Sequence, residues 1–317
     1  MSLGSEVEEF LAALKPGTRK VYRRGLALFA EFLKEQKMGG ISDFLNEVEL
    51  DLQRPRLQKR HVARKALNSF IEFLQARGYP PNSVNAFVGS VQALGKYFDI
   101  PIGGKYVKRP PTQAVNKKHP WTIEEIGDFV LMMDDIQLQC IAACIVQSGL
   151  SLSDLLRLTY GDIRSEYERG ITPLCLDMVR KKTGVPFLTF FGTWAVDMMR
   201  KNLEGRRLTD KTPLFTKNAA SVEKRFRTLG QRFAGERFKG RNPYSPHTLR
   251  AAFRTILSDH QIDHIIIEFW MGHAVPEQQI VYVSKSREGW RETYRTLAEP
   301  WLTPPQFKAQ SPSHLID

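Results

Sequence analysis

Apolar residues recur at helical spacing along most of the chain. Phe10, Leu11 and Leu14, then Tyr22, Leu26, Phe29, Phe32 and Leu33, fall at the three- and four-residue intervals that turn one helix face into a core. Residues 15–18, Lys-Pro-Gly-Thr, separate the two runs as a turn, with Thr18 as the candidate cap. Gly39 and Gly40 break the pattern, which resumes over residues 48–52, 57–74 and 83–98, with a Pro-rich turn at 78–82. Residues 1–102 therefore read as a small all-α bundle. Arg19, Lys20, Arg23 and Arg24 lie on the polar side of its second helix, and Arg60 and Arg64 point outward further on.

The stretch 101–120 has no periodicity and holds four prolines, two glycines and five basic residues. An extended, basic linker over 103–119 is expected. Periodicity returns with a capping box at residues 122–125, Thr-Ile-Glu-Glu, and an apolar helix at 136–148. Residues 174–179 and 185–191 are rich in β-branched and aromatic side chains and flank Arg180-Lys181-Lys182-Thr183-Gly184, which predicts a β-hairpin with Gly in its turn. Helices are expected at 191–203 and 219–233, the second with Lys224, Arg225, Arg227 and Arg232 facing out. Ser245-Pro246 is a helix start, because Ser caps and Pro fits the first turn. Residues 262–270 read as a buried helix that stops at Gly272; Pro276 opens a short helix carrying Tyr282, and residues 285–297 form a last one. The second domain thus spans 120–302, with a polar tail at 303–317. The fold class is mainly α, in two domains, with a small antiparallel β-sheet in the second.

Composition narrows the partner. The 317 residues carry a formal net charge of +12, which points to a polyanion, nucleic acid before membrane. No apolar run reaches the ~20 residues of a spanning helix, and the start lacks a signal-peptide pattern, so a cytoplasmic protein without membrane contact is expected. Cys140, Cys144 and Cys175 suit a reducing compartment. Cys140 and Cys144 lie in an apolar helical run with no third ligand in register, so two buried thiols are expected there rather than a metal site.

The chemistry-bearing residues concentrate between Tyr244 and Tyr282. His247 and Arg250 share one face in the first turn after Ser245, where free backbone N–H groups favour an anion. Met271-Gly272-His273 follows, and Tyr282 stands nine residues beyond that histidine. A tyrosine, two histidines and an arginine suffice to cut a phosphodiester without metal or cofactor: tyrosine attacks phosphorus, arginine holds the developing charge, and histidines donate hydrogen bonds or move protons.

This ordered set resembles the catalytic half of the tyrosine recombinase (phage integrase) family, in which His-x-x-Arg precedes Leu-Gly-His, with Tyr nine residues after that His. The chain reads HTLR, MGH and Tyr282 at that offset. The opening run TRKVYRRGLALFAEFL also resembles the family's core-binding domain. The resemblance implies a two-domain DNA clamp on double-stranded DNA, without cofactor or metal. It acts as a homo-tetramer on two DNA sites and is a monomer or dimer off DNA. Integration or excision of a mobile element is the implied role. Catalysis is assigned to Tyr282, Arg250, His247 and His273, with Asp154 orienting its neighbours. Lys182, in a Lys-Thr-Gly run on the hairpin, matches the family's catalytic lysine, with Lys181 as the alternative. DNA contacts fall to Arg19, Lys20, Arg23, Arg24, Arg60, Arg64, Lys224, Arg225 and Arg227.

One position departs. The family reads Thr-Gly-Leu-Arg, then an acidic residue three further on. Gly149, Leu150 and Asp154 match, but Ser151 stands where the first catalytic arginine belongs. A short hydroxyl cannot replace a bidentate guanidinium. Three readings are open: a branch in which another basic residue fills in, an inactive DNA-binding relative, or a chain mutated to trap a complex. The first is favoured because the later catalytic positions are intact, and Arg157 and Arg180 are the candidate substitutes. A type IB topoisomerase-like enzyme uses related chemistry but fits the N-terminal bundle less well.

Overall fold

The computed structural model describes residues 3–112, 121–234, 243–276 and 285–308. The chain divides into two compact units, residues 1–117 and 118–317.

The first unit is all helix: α1 (Ser5–Ala12), α2 (Pro16–Glu35), α3 (Ile41–Gln53), α4 (Val62–Ala76) and α5 (Pro81–Tyr97). Its core is aromatic. Phe29 meets Phe44 and Phe70 edge-on, each at 5.0 Å between ring centroids, a favoured arrangement for quadrupolar rings. Three boundaries differ from expectation. Helix α2 begins at Pro16, not after Thr18, because proline at the first position loses only an N–H that would have no partner anyway. Helix α3 starts already at Ile41, where the Asp43 carboxylate accepts the Gly40 N–H at 2.7 Å. Helix α4 starts only at Val62. The buried Asp51 carboxylate accepts the N–H of Arg60 at 2.6 Å and of Val62 at 3.0 Å, which holds the preceding residues in a non-helical turn.

The second unit is built around α7 (Ile136–Ser148), whose residues 140–148 are all buried. Helices α10 (Thr193–Leu203) and α12 (Pro246–Asp259) pack along it. Around them lie α6 (Ile123–Leu131), the single turn α8 (Leu152–Leu155), α9 (Tyr160–Tyr167), α11 (Ala219–Ala234) and α13 (His264–Trp270). Strands β1 (Leu174–Val179) and β2 (Pro186–Phe191) pair antiparallel from Leu174 opposite Phe191 to Val179 opposite Pro186. This hairpin is the one sheet among the described residues, and α13 and α7 pack on β2. The helix Arg287–Leu297 seats Trp290 and Tyr294 against Trp270. Its buried Arg291 pairs with Glu166 at 2.7 Å, and Glu166 also accepts the Cys175 N–H at 2.8 Å, so this helix is tied to the root of β1. The expected polar tail starts packed: Phe307 stacks on Trp194 at 5.0 Å, and Gln306 donates to Asp128 at 2.7 Å. All three cysteines are free thiols and buried, and burial raises the Cys175 thiol to about 11. No helix among the described residues is long and apolar enough to cross a membrane.

Candidate active site

Arg250 is the centre of the site. Ser245 caps α12 by accepting the Thr248 N–H at 3.2 Å, Pro246 takes the first turn, and Arg250 follows on the buried side facing α7. The residue is only 6 % exposed, and its guanidinium is held by two carbonyl oxygens, each from a glycine-ended helix. Nη1 donates to Gly149 O at the end of α7, and Nη2 donates to Met271 O at 2.8 Å at the end of α13. Both glycines are left-handed, at φ +63° and +67°, and a Cβ on them would meet the Phe253 or Phe187 ring at 2.7 Å or 2.8 Å. The Gly-Leu and Met-Gly-His signatures therefore do one structural job: they turn two helix ends so that their carbonyls grip one arginine.

His273 completes the grip. Arg250 Nη2 lies 3.0 Å from its Nε2. Arginine only donates, so Nε2 accepts and the ring proton sits on Nδ1, which donates to Glu268 Oε2 at 2.5 Å. Burial lowers the His273 pKa below its ordinary 6.5, outweighing the pull of Glu268, with Arg250 and Arg180 pushing the same way. Burial likewise brings Arg250 down to about 10, helped by the nearby Arg180. Glu268 is the residue that the sequence reading missed. Its signal was available: with Gly272 in the left-handed position, His273 N–H folds back to Glu268 O at 2.9 Å and Gly272 N–H to Phe269 O at 2.9 Å. A helix ending this way sets the residue after Gly beside the one five before it.

Ser151 does not face the arginine as a reactive group. Its hydroxyl caps α8, accepting the Asp154 N–H at 3.2 Å and donating to Asp154 Oδ2 at 2.7 Å. Asp154 is itself buried, and its Oδ1 accepts the Lys181 N–H at 3.0 Å, which anchors the hairpin turn to α8. Of the two candidate substitutes, Arg157 is directed to the Val179 carbonyl and stands 3.7 Å from Asp154. Arg180 donates from Nη1 to Gly272 O at 3.2 Å, beside His273. Lys182 and Lys181 are exposed on the hairpin turn, and His247 is exposed in the first turn of α12. Tyr282 lies outside the described residues. Tyr294, the next tyrosine along the chain, is fully buried and donates to Gln147 O at 2.5 Å, with its pKa pushed far up by burial, so it is a core residue.

The basic residues of the first unit serve the fold as well as the surface. Arg19 donates to the Ala12 and Leu14 carbonyls at 2.8 Å and 3.0 Å, closing the end of α1. Arg23 forms a bidentate pair with Glu8, both bonds 2.6 Å, Arg24 donates to the Tyr79 hydroxyl at 3.1 Å, and Arg60 pairs with Glu47. Arg64 stacks over Tyr106 at 5.5 Å. In the second unit Arg225 pairs with Asp134 at 2.9 Å, and Lys224 and Arg227 are exposed, as is Lys20 in the first.

Residues 122–288 match the phage integrase family, and the chain belongs to it; it is a tyrosine-type site-specific recombinase. Among its relatives, tyrosine recombinase XerA of Pyrococcus furiosus is 27% identical over 67% of this chain and 73% of its own length. Tyrosine recombinase XerD of Pseudomonas putida is 25% identical over 89% and 93%. Tyrosine recombinase XerD of Ralstonia nicotianae is 29% identical over a shorter stretch, 44% of this chain and 46% of that protein. The same fold occurs in the Tn1549 transposon integrase in complex with transposon right end DNA, at TM-score 0.59 and 14% identity, covering 90% and 97% of the two chains. It occurs also in a lambda integrase dimer bound to a COC′ core site, at TM-score 0.59 and 14% identity, covering 90% and 96%.

Proposed function

We propose that the chain cuts and rejoins double-stranded DNA through a 3′-phosphotyrosyl intermediate on Tyr282, in the integration or excision of a mobile element. One observation carries this: a buried, carbonyl-held guanidinium at Arg250 beside a neutral histidine whose tautomer Glu268 fixes. Such a guanidinium is preorganised for the oxygens of a phosphorane, and its surroundings are too dry to be matched by water. The Tyr282 oxygen bonds to phosphorus and its proton passes to Nε2 of His273, as Arg250 turns its Nη2–H from that nitrogen to a phosphate oxygen. The bond to the 5′ oxygen breaks, and that oxygen takes a proton from Lys182. Arg250 and His247 hold the equatorial oxygens, while Asp154 orients the hairpin turn rather than reacting. The reverse attack by a 5′ hydroxyl restores the diester, and the phosphotyrosyl bond conserves the energy, so rejoining consumes no nucleotide.

Duplex DNA is engaged by both units. Exposed ion pairs such as Arg23–Glu8 and Arg225–Asp134 are screened by solvent and weakly held, so these guanidiniums are easily exchanged from carboxylate to phosphate. Lys20, Lys224 and Arg227 add charge beside them. The working assembly is a homo-tetramer on two sites, with a monomer or dimer off DNA.

Ser151 favours a second reading, a DNA-binding protein that no longer cuts. A plasmid with two copies of the bound sequence separates the two. Incubated with the protein in EDTA and without nucleotide, it is expected to yield the excised circle. Binding without any strand exchange or nicking favours the second reading.

A further inference from the structure

The turn that ends α13 holds two guanidiniums on successive carbonyls. Arg250 donates to Met271 O at 2.8 Å, and Arg180, from the hairpin 70 residues earlier in the chain, donates to Gly272 O at 3.2 Å. His273 follows directly in sequence and lies 3.0 Å from Arg250. The two like charges are close enough that Arg180 pushes both Arg250 and His273 toward their neutral forms. Both guanidiniums bond to neutral acceptors: Arg250 to two carbonyls and an imidazole, Arg180 to a carbonyl. Asp154 and Glu268, the carboxylates that act on Arg250, spend their own oxygens elsewhere: Asp154 on Ser151 and the Lys181 N–H, Glu268 on His273 and Arg254. Moreover, the Nε–H of Arg180 is buried with no partner among the described residues. An unpartnered buried donor costs free energy, and two cations side by side cost more. An anion bound across them relieves both.

We propose that Arg180 is the second phosphate-binding guanidinium of the active site, a catalytic residue delivered from the hairpin in place of a side chain at position 151. This rests on the strand-cleavage reading above and names a further member of that site. Its placement is built. Ser151 fixes Asp154, Asp154 fixes the Lys181 N–H, and the backbone at 181 sets where the side chain of residue 180 leaves the sheet. The strand end is closed from the other side, where Arg180 N–H donates to Val185 O at 2.8 Å. The ligand is the scissile phosphodiester of DNA. Arg157 bonds the Val179 carbonyl instead and serves to hold the end of β1.

The test uses a nicked suicide duplex whose sequence the wild-type protein itself enriches from a random pool, made with either a normal phosphate or an uncharged methylphosphonate at the scissile position. With phosphate, Arg180→Ala should slow covalent adduct formation by about 100-fold or more, the scale of losing one transition-state donor. With methylphosphonate, most of that loss should disappear, because the charge that Arg180 neutralises is gone. Arg180→Lys, which keeps the charge and guards against a folding defect, should fall between wild type and Arg180→Ala on phosphate and match wild type on methylphosphonate. Arg157→Ala should show no such substrate dependence. The assignment is overturned if Arg180→Ala cleaves phosphate like wild type, if it is equally slow on both substrates while Arg180→Lys is too, or if Arg157→Ala is the variant that methylphosphonate rescues. A wild-type protein that forms no adduct on either duplex overturns the cleavage reading itself, and is told apart from a failure of Arg180 alone by the wild-type reaction.

Discussion

Glu268 and His273 are five residues apart in sequence and hydrogen-bonded at 2.5 Å, carboxylate to imidazole, across a helix end. The pairing leaves Nε2 as the accepting nitrogen. In the proposed mechanism that nitrogen takes the tyrosine proton, so the rate should fall at low pH as His273 becomes charged. Glu268 favours the charged ring, so Glu268→Gln should move this acid limb to lower pH and, by weakening the base, slow cleavage roughly tenfold, within the range for losing an orienting partner. DNA binding should hardly change. An acid limb that stays in place would remove His273 from the proton path.

The same histidine makes a stability prediction. Its folded-state pKa is depressed below 6.5, chiefly by burial. On acidification the unfolded chain takes up a proton near 6.5 while the folded chain does not, so stability contributed here is present above that pH and lost as pH falls toward the folded value. Melting temperatures of wild type and His273→Gln should diverge less at pH 5.5 than at pH 7.5. A constant difference across that window would contradict the assigned neutral state.

Tyr294 is a core side chain. Tyr294→Phe leaves the buried Gln147 carbonyl without its 2.5 Å partner and should cost about 1–3 kcal/mol of stability, read by chemical denaturation, yet keep adduct formation. Loss of the adduct with the fold intact would make Tyr294 the better nucleophile candidate.

How far the sequence carried depends on distance along the chain. HTLR and MGH were legible because each is set within one helix turn or one helix stop, and the apolar run over 136–148 marked α7, which is buried on all sides over 140–148. Glu268 was legible too, from the Gly272 stop, but its meaning needed the left-handed turn to be drawn out. Asp154 could be picked out but not its partner: the Lys181 N–H lies 27 residues away and meets it only once β1 has formed. For the same reason the choice between Arg157 and Arg180 could not be made from spacing. Helix α3 was read as too short because its first turn is held by Asp43 on Gly40, a local polar contact that apolar periodicity does not register.

Ser151→Arg separates a relocated cation from a missing one. The serine hydroxyl caps α8 and bonds Asp154, so the substitution should cost about 1 kcal/mol in stability, as for loss of a cap. It should not raise cleavage, since Arg180 already supplies the charge. A sharp rise in adduct formation would instead mean that the wild-type site lacks a cation.

Charge makes a prediction about binding. With a net charge of +12 and basic side chains on both units, affinity for duplex DNA should fall steeply with salt, as for a protein neutralising on the order of ten phosphates. A plot of log affinity against log salt with a slope near zero would argue against DNA as the partner.

The most direct measurement is the identity of the covalent bond. The wild-type protein is trapped on a nicked suicide duplex that it binds, the complex is digested, and the DNA-linked peptide is sequenced by mass spectrometry. Cleavage through Tyr282 predicts a 3′-phosphotyrosyl link on that residue and a free 5′ hydroxyl, absent in Tyr282→Phe although that variant still binds. A link to any other residue, a 5′-linked adduct, or an adduct that survives Tyr282→Phe would contradict it.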